Sequence, residues 1–365
     1  MRQIAIDGCG VAGLTAASLL FQRGMRVSLR AEKRATPHPM IVAVPQDSLT
    51  LLQEIWLLPE LTLNFGRRLA RRRVAWETET FESLDATTTV FDPRDLAAAL
   101  FDELPRGVKA APSQGANEFV VIARGRSASE TETVIAGARQ AVVGRMDEAR
   151  LFDRDAISIA STSVGWLFAS PSPHGDAAVM LVRPGERQCR DQAEDLNHAT
   201  HRIFGADAAV ECVVGCQPNF TYPIGEGRLR IGDATVAMDP LRGDGVGNAV
   251  RSALLAQACI GAGLTPHALE HFVARQALLF VRHVKQTIDH YARCRHASIW
   301  RGEIEMMRQA IGLVVPLIRP AALRFTLCGR NLVASHPNGR SESQKGSSQK
   351  SSQNPESGGD AKLRS

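Results

Sequence analysis

The chain has 365 residues, 44% of them hydrophobic and 22% charged, which suits one large globular unit or two domains sharing an interface. Its formal net charge is +5, part of it in the polar stretch from His336 onward, so the remainder is only modestly basic and does not demand a nucleic-acid partner. Seven cysteines without a paired framework favour a reducing compartment, and no apolar run reaches the length of a membrane-spanning helix. The first strand begins almost at Met1, leaving no room for a targeting peptide, so a cytoplasmic location is expected.

Residues 4–32 read as strand, glycine turn, helix and strand, with the acid Glu32 at the far end. Ile4 and Ile6 belong to the first strand, and Leu14, Ala17, Leu20 and Phe21 give the helix an apolar face. Between them lies Gly8-Cys9-Gly10-Val11-Ala12-Gly13, a dinucleotide fingerprint. Gly8 permits the tight turn, Gly10 lets the backbone approach a pyrophosphate, and Gly13 lets the helix pack close to the strand. The helix N-terminus offers unpaired N–H groups and the positive end of its dipole to the phosphates.

A helix is predicted around Ser48–Ile55. Residues 67–90 alternate in strand fashion, including Val74–Phe81, and a helix follows over Arg94–Glu103. Phe119–Ala123 is a short apolar strand returning to the nucleotide-binding sheet. Trp166–Ser170 and Ala177–Val182 flank a Pro171–Asp176 tip as a hairpin, and a helix follows near Gln188–Phe204. A strand then ends at Gly232-Asp233. The loop carrying Pro240 leads through Gly243, Gly245, Val246, Gly247 and Asn248 into a helix with Ala249, Val250, Ala253 and Leu254 on its apolar face. Phe272, Gln276, Leu279, Phe280, His283, Val284, Ile288 and Tyr291 follow helical spacing and read as a core stripe. Ile311–Ile318 is too short to span a membrane, carries Pro316, and reads as a packed terminal helix, with a peripheral membrane contact as the alternative. From His336 onward the composition predicts disorder.

Two strand–glycine–helix units so far apart in one chain imply a single long ligand held at both ends. The pair resembles the FAD-binding oxidoreductases of the glutathione-reductase-like fold. Within them it is similar to the flavin monooxygenases and flavin-dependent (tryptophan) halogenases, whose second motif runs Gly-Asp-Ala…Asp/Pro-Pro…Gly-x-Gly. The resemblance implies an α/β protein with a Rossmann-like, three-layer FAD-binding domain of the glutathione-reductase type, built from residues 1–65, 92–155 and 222–265. A β-sheet substrate domain (66–91 and 156–221) would be inserted into it, followed by C-terminal helices (266–335) and a disordered tail (336–365).

The resemblance also implies roles for single residues. Gly8, Gly10, Val11, Ala12 and Gly13 would hold the FAD pyrophosphate, with Arg94 beside it; a surface arginine on a helix turn is the alternative for Arg94. Glu32 would bind the ribose, although the family's alignment falls on Ala31 and needs a bulge to reach Glu32. Gly232 and Asp233 would meet the ribityl chain and Pro240 would lie beside the isoalloxazine ring. Gly243, Gly245, Val246, Gly247 and Asn248 would present backbone N–H groups to the pyrimidine side, where a positive dipole end stabilises the anionic reduced flavin. In Val120–Ala128, Arg124 stands where the family has Thr or Asp, which leaves the electron donor, NAD(P)H or a reduced flavin, open.

Tyr291–Arg301 resembles a terminal segment of halogenase-like flavoproteins, and Gly165-Trp166-Leu167-Phe168 is a fragment of their tryptophan motif. No tunnel lysine is evident, so halogenation is disfavoured. The expected function is an FAD-dependent monooxygenase hydroxylating an aromatic or peptide-borne, tryptophan-like substrate through a flavin C4a-hydroperoxide. The alternatives are a flavin-dependent reductase of the isoprenoid-reductase type, or a maturation partner of an amine or amino-acid oxidase without free turnover.

Other groups admit plainer readings. His267 and His271 share a helix face, but no third metal ligand is evident. Cys212 and Cys216 lack a second pair, and Cys9 reads as a small packing residue. Arg67–Arg73 is the densest basic run, either a solvated face or a docking surface for an acidic partner.

Overall fold

The computed structural model describes residues 3–30, 40–58, 65–109, 119–128, 133–185, 192–323 and 325–334. Glu32 and the tail 336–365 lie outside the described residues, so the expectations for them stand as sequence readings.

Strand β1 (Gln3–Asp7) leads through the first glycine turn into α1 (Val11–Gln22), and β2 (Arg26–Arg30) returns parallel to it. α1 is buried from Ala12 to Leu20, because small residues on its strand-facing side let it lie close to the sheet. β3 (Val42–Pro45), α2 (Gln46–Trp56) and the long antiparallel pair β4 (Gly66–Ala75) and β5 (Glu82–Phe91) follow. Asp92 then caps α3 (Pro93–Asp102): its carboxylate accepts from the Arg94 N–H, and Pro93 occupies the first helical position. After α4 (Arg106–Lys109), β6 (Phe119–Ile122) pairs in parallel with the other side of β1.

β7 (Thr133–Ile135), β8 (Gln140–Met146), β9 (Ala156–Thr162), β10 (Gly165–Pro171) and β11 (Ala177–Arg183) come next. They lead to α5 (Gln192–Phe204) and β12 (Ala209–Gly215). β13 (Asn219–Thr221), β14 (Ile224–Gly225), β15 (Arg228–Arg230) and β16 (Val236–Ala237) return the chain to α6 (Gly245–Gly261). The 28-residue α7 (Pro266–Arg293), α8 (Arg301–Val314) and the hairpin β17 (Phe325–Cys328) and β18 (Asn331–Ala334) complete the fold.

The strands form a mixed α/β architecture. One sheet runs β14-β15-β6-β1-β2, parallel except for β14. Its core joins Ile4, Ile6, Val121 and Leu229 to Leu14, Leu20, Leu49, Leu96, Val250 and Ala253 of the surrounding helices. The second sheet runs β12-β8-β11-β10-β9-β4-β5-β3 and is antiparallel except for β4–β9. Every residue of its central strand β11 is buried. Ala178, Met180 and Val182 face α7 and α8, and Ala177, Val179 and Leu181 face α5. A third small sheet runs β16-β13-β7.

Two differences from the sequence reading have physical causes. Segments 42–45 and 140–146, grouped by sequence with the nucleotide-binding region, supply β3 and β8 of the eight-stranded sheet; alternation marks a strand but does not name its neighbours. The alternating run Val74–Phe81 does not continue as one strand: β4 ends at Ala75 and β5 begins at Glu82. Trp76 is drawn away by the C-terminal helices. Its indole N–H donates to the His290 carbonyl at 2.9 Å, its carbonyl accepts from the Arg295 N–H at 2.8 Å, and its ring stacks on Tyr291.

Candidate functional site

The first glycine turn has two tight positions and one open one. Gly8 has φ +127°, and a Cβ there would clash with the Ala123 carbonyl; a Cβ on Gly13 would clash with the Gly8 carbonyl. At Gly10 a Cβ would meet nothing within 4 Å, so the backbone faces open space where a ligand can approach. Gly10 occupies the N-cap of α1 with no side-chain cap, and the first turn carries no acid, so Val11, Ala12 and Gly13 present their N–H groups outward.

The second motif closes on the first. β15 lies parallel to β6, which lies parallel to β1, so Ile231-Gly232 emerges beside the Gly8–Gly13 turn. Gly232 (φ +58°) packs so closely that a Cβ there would come within 2.8 Å of the Ala12 Cβ, and its N–H donates to Ser252 Oγ of α6 at 3.0 Å. The first turn of α1 and the Ala249–Ser252 turn of α6 therefore flank Gly232. Asp233 has 35% of its side chain exposed; burial pushes its carboxyl pKa up, against the opposing pull of Arg126, whose Nε lies 3.7 Å away. Gly243 (φ +60°) ends the Pro240–Arg242 turn. At Gly245 a Cβ would again meet nothing within 4 Å. Asp244 sits at the N-cap of α6 without capping it: its carboxylate accepts from Ser48 Oγ at 2.8 Å and pairs with Arg251, crowding Gly247. Asn248 is buried beneath this turn, its amide donating to the Val236 carbonyl at 3.0 Å while its Oδ1 has no protein partner.

Two arginines that the sequence did not single out for this place complete the cradle. Arg124, the departure from the family turn, pairs with Asp7 at 2.7 Å, immediately before Gly8. Arg126 donates to the Gln217 carbonyl at 2.8 Å and to the Met238 carbonyl, tying the second motif to the turn after β6. Arg94 is 60% exposed at the start of α3, its Nε 3.5 Å from Asp92; His174, from the β10–β11 tip, approaches Asp92 and Asp95.

Beneath the loop lies a buried polar network centred on Asp239, the residue before Pro240. The Asp239 carboxylate accepts from the Leu241 N–H at 2.9 Å and the Tyr291 hydroxyl at 2.9 Å, and pairs with Arg139 Nε at 3.1 Å. Arg139, wholly buried, also reaches Glu303 at 3.2 Å and the Ala136 carbonyl at 2.9 Å. Trp166 Nε1 donates to the Tyr291 hydroxyl at 3.1 Å, and Trp300 stacks on Tyr291. The Asp239 N–H donates to His283 Nε2 at 2.7 Å, and burial holds His283 neutral with a pKa lowered to about 4. Sequence reading took His283 and Tyr291 for packing residues. They do pack, but both also hold the loop that carries Pro240.

The remaining groups scatter. Arg67 pairs with Glu148 at 2.7 Å, Arg71 with Asp153 at 2.9 Å, and Arg73 lies over Phe81 and Phe152, so much of the basic run is engaged within the chain. His267 is exposed, while His271 is buried with its Nδ1 3.3 Å from the Ala322 carbonyl. Cys212 lies on β12 and Cys216 is buried beyond it, its thiol pushed up to about 12 by burial. Among the described residues no cluster could hold a metal ion, and no helix is long and apolar enough to cross a membrane.

No protein-family model matches the sequence, and no curated protein matches it. Solved structures do match. A peptidyl tryptophan dihydroxylase essential for tryptophylquinone cofactor biogenesis superposes with a TM-score of 0.69 at 20% identity, over 84% of this chain and 78% of its own. The fold is that of flavin-dependent monooxygenases and halogenases. The myxobacterial chondrochloren halogenase, an FAD-dependent enzyme, gives a TM-score of 0.71 at 17% identity over 92% and 99% of the two chains. The p-nitrophenol 4-monooxygenase of Pseudomonas putida DLL-E4 gives 0.64 at 14% identity over 88% and 100%.

Proposed function

We propose that the chain is an FAD-dependent monooxygenase acting on an aromatic substrate, free or borne by a peptide. The observation that carries this reading is the packing of Gly232 against Ala12 of the first glycine turn and against Ala249 and Ser252 of α6, which brings the two glycine motifs together. The residues present fit FAD. The open backbone at Gly10 and Gly245 would fill with a Cβ, and the first turn of α1 lacks a side-chain cap. When bound, FAD would supply the redox chemistry and the reaction with O2.

The chain's own residues then bind, orient and exclude water. The α1 N–H groups and Arg94 would hold the pyrophosphate, and Asp233 would accept from ribityl hydroxyls. The Gly243–Asn248 turn would offer its backbone N–H groups and the positive end of the α6 dipole to the pyrimidine side of the flavin. Tyr291, Arg139 and His283 fix Asp239 and with it the loop whose Pro240 would lie beside the isoalloxazine ring. On the eight-stranded sheet the partly exposed Val74 and Phe168 would offer an apolar surface to an aromatic ring. The fold shared with a peptidyl tryptophan dihydroxylase supports the peptide-borne variant of the substrate. Either NAD(P)H or a separately reduced flavin serves as donor.

The test is reconstitution. FAD should bind the purified chain stoichiometrically and should fail to bind Gly10→Val, whose side chain fills the cradle. The reduced holoprotein, offered tryptophan-containing peptides and small phenols under isotopically labelled dioxygen, should place one labelled oxygen in a product. A chain that takes no flavin, or one whose flavin reoxidises without labelling any substrate, refutes the proposal.

A further inference from the structure

Within the basic run of β4, Arg72 differs from its neighbours. Arg67, Arg71 and Arg73 are satisfied by Glu148, Asp153 and two phenyl rings, and Arg68 is exposed. The Arg72 Nε is shut off from solvent and has no hydrogen-bond partner. Burial lowers the Arg72 pKa with no carboxylate nearby to offset it. The Nε–H costs stability, because its hydration is lost and no acceptor replaces it, while the terminal nitrogens are not shut off.

Its place on the sheet shows what an acceptor would meet. A bulge between Leu69 and Arg71 resets the alternation, so Arg71 and Arg73 face the loop 147–155 while Arg72 and Val74 share a face with Leu69. Arg72 stands opposite Ile157 of β9 and Leu84 of β5; Val74 stands opposite Ile159, whose other neighbour is Phe168. On this face Leu69, Ile157 and Ile159 share a core with Phe280 and Tyr291 of α7, against which Leu241 of the Pro240 loop packs. Coverage ends towards β5: Trp166 is 1% exposed, Val74 and Phe168 are partly exposed, and Leu84 is 49% exposed. The result is an apolar shelf with one unpaired cation in it.

Resting on the monooxygenase reading, we propose that Arg72 binds a carboxylate of the substrate, which is therefore an aromatic acid lying on the Val74, Leu84 and Phe168 shelf. The guanidinium fork matches a carboxylate in two parallel hydrogen bonds, and the half-desolvated setting strengthens them. Among the described residues no carboxylate makes this pair.

Calorimetric titration of the full-length chain, with its FAD content measured separately by absorbance, tests the assignment. The probes are indole-3-acetate and the uncharged, equally shaped indole-3-acetamide. The acid is expected to bind about 10- to 100-fold more tightly than the amide. Arg72→Met should abolish that preference without lowering the melting temperature, since it removes a half-buried charge that pairs with no carboxylate among the described residues, and Arg72→Lys should restore part of it. Equal affinity for the two probes, binding of neither, or an acid preference that survives in Arg72→Met overturns the proposal. So does a marked loss of thermal stability in Arg72→Met, which would make the arginine structural. If the preference holds in a chain that takes no flavin, the carboxylate site stands and the monooxygenase reading fails. If flavin binds and the preference is absent, the reverse follows.

Discussion

Lowering the pH should destabilise the protein through His283 in a way that one substitution removes. His283 is 3% exposed, and its pKa falls from an ordinary 6.5 to about 4 because burial disfavours the imidazolium. The native state thus binds this proton more weakly than the unfolded chain. The stability the neutral ring contributes is fully present above the unfolded pKa and is lost as pH falls towards the folded one. Two and a half pKa units at 1.36 kcal/mol each set the full loss at about 3 kcal/mol, of which about 2 kcal/mol is gone by about pH 5. His283→Gln keeps an acceptor near the Nε2 position for the Asp239 N–H but cannot titrate. Urea unfolding followed by tryptophan fluorescence from about pH 7.5 to about pH 5 should therefore show the parent losing about 2 kcal/mol more than the variant. FAD affinity of the parent should fall over the same window, because a protonated ring turns a donor towards the Asp239 N–H and loosens the loop before Pro240. Parallel pH profiles for the two proteins would refute the reasoning.

Gly10→Val should leave unfolding by urea unchanged and abolish FAD binding measured by flavin fluorescence, whereas Gly8→Ala should lose about 2 kcal/mol or more of stability, because its φ of +127° and the Ala123 carbonyl leave no room for a Cβ. Arg139→Met leaves two buried carboxylates, Asp239 and Glu303, without their shared cation, and should cost about 3–5 kcal/mol in equilibrium unfolding. Asp233→Ala should weaken FAD binding in direct titration while raising rather than lowering stability without the cofactor, since it removes a carboxyl whose charge is disfavoured by burial.

The first turn was legible because glycine spacing encodes backbone geometry directly: Gly8 needs a conformation that side chains avoid, and Gly13 needs contact with a carbonyl. Elements with strong local signals were legible too, such as α3 behind its Asp92-Pro93 cap and the β10–β11 hairpin. What escaped is non-local. Arg139 carries no sequence signal, and its partners Asp239 and Glu303 lie about a hundred or more positions away; only the packing of α7 and α8 against the loop brings them together. The run Arg67–Arg73 reads as one charged patch, yet period two and a single bulge send its members to different faces with different tasks.

The loop that would meet the flavin ring is held from several directions at once. Arg126 holds the Met238 carbonyl, His283 holds the Asp239 N–H, Arg139 and Tyr291 hold the Asp239 carboxylate, and that carboxylate in turn caps Leu241. Three of the four tryptophans and one of the two tyrosines in the chain meet around Tyr291 behind this loop. Such fastening lowers the entropy lost when a cofactor docks and fixes the angle at which its ring is presented. Adjustment to different states of the cofactor or substrate then falls to groups without these tethers. The Arg94 and His174 side chains, 60% and 56% exposed and held through Asp92 and Asp95, stand at the far end of β10 from Trp166. Motion during turnover should accordingly concentrate where α3 meets the β10–β11 tip, and hydrogen exchange should find the amides of Asp239 and Leu241 protected while that of Gly175 exchanges faster.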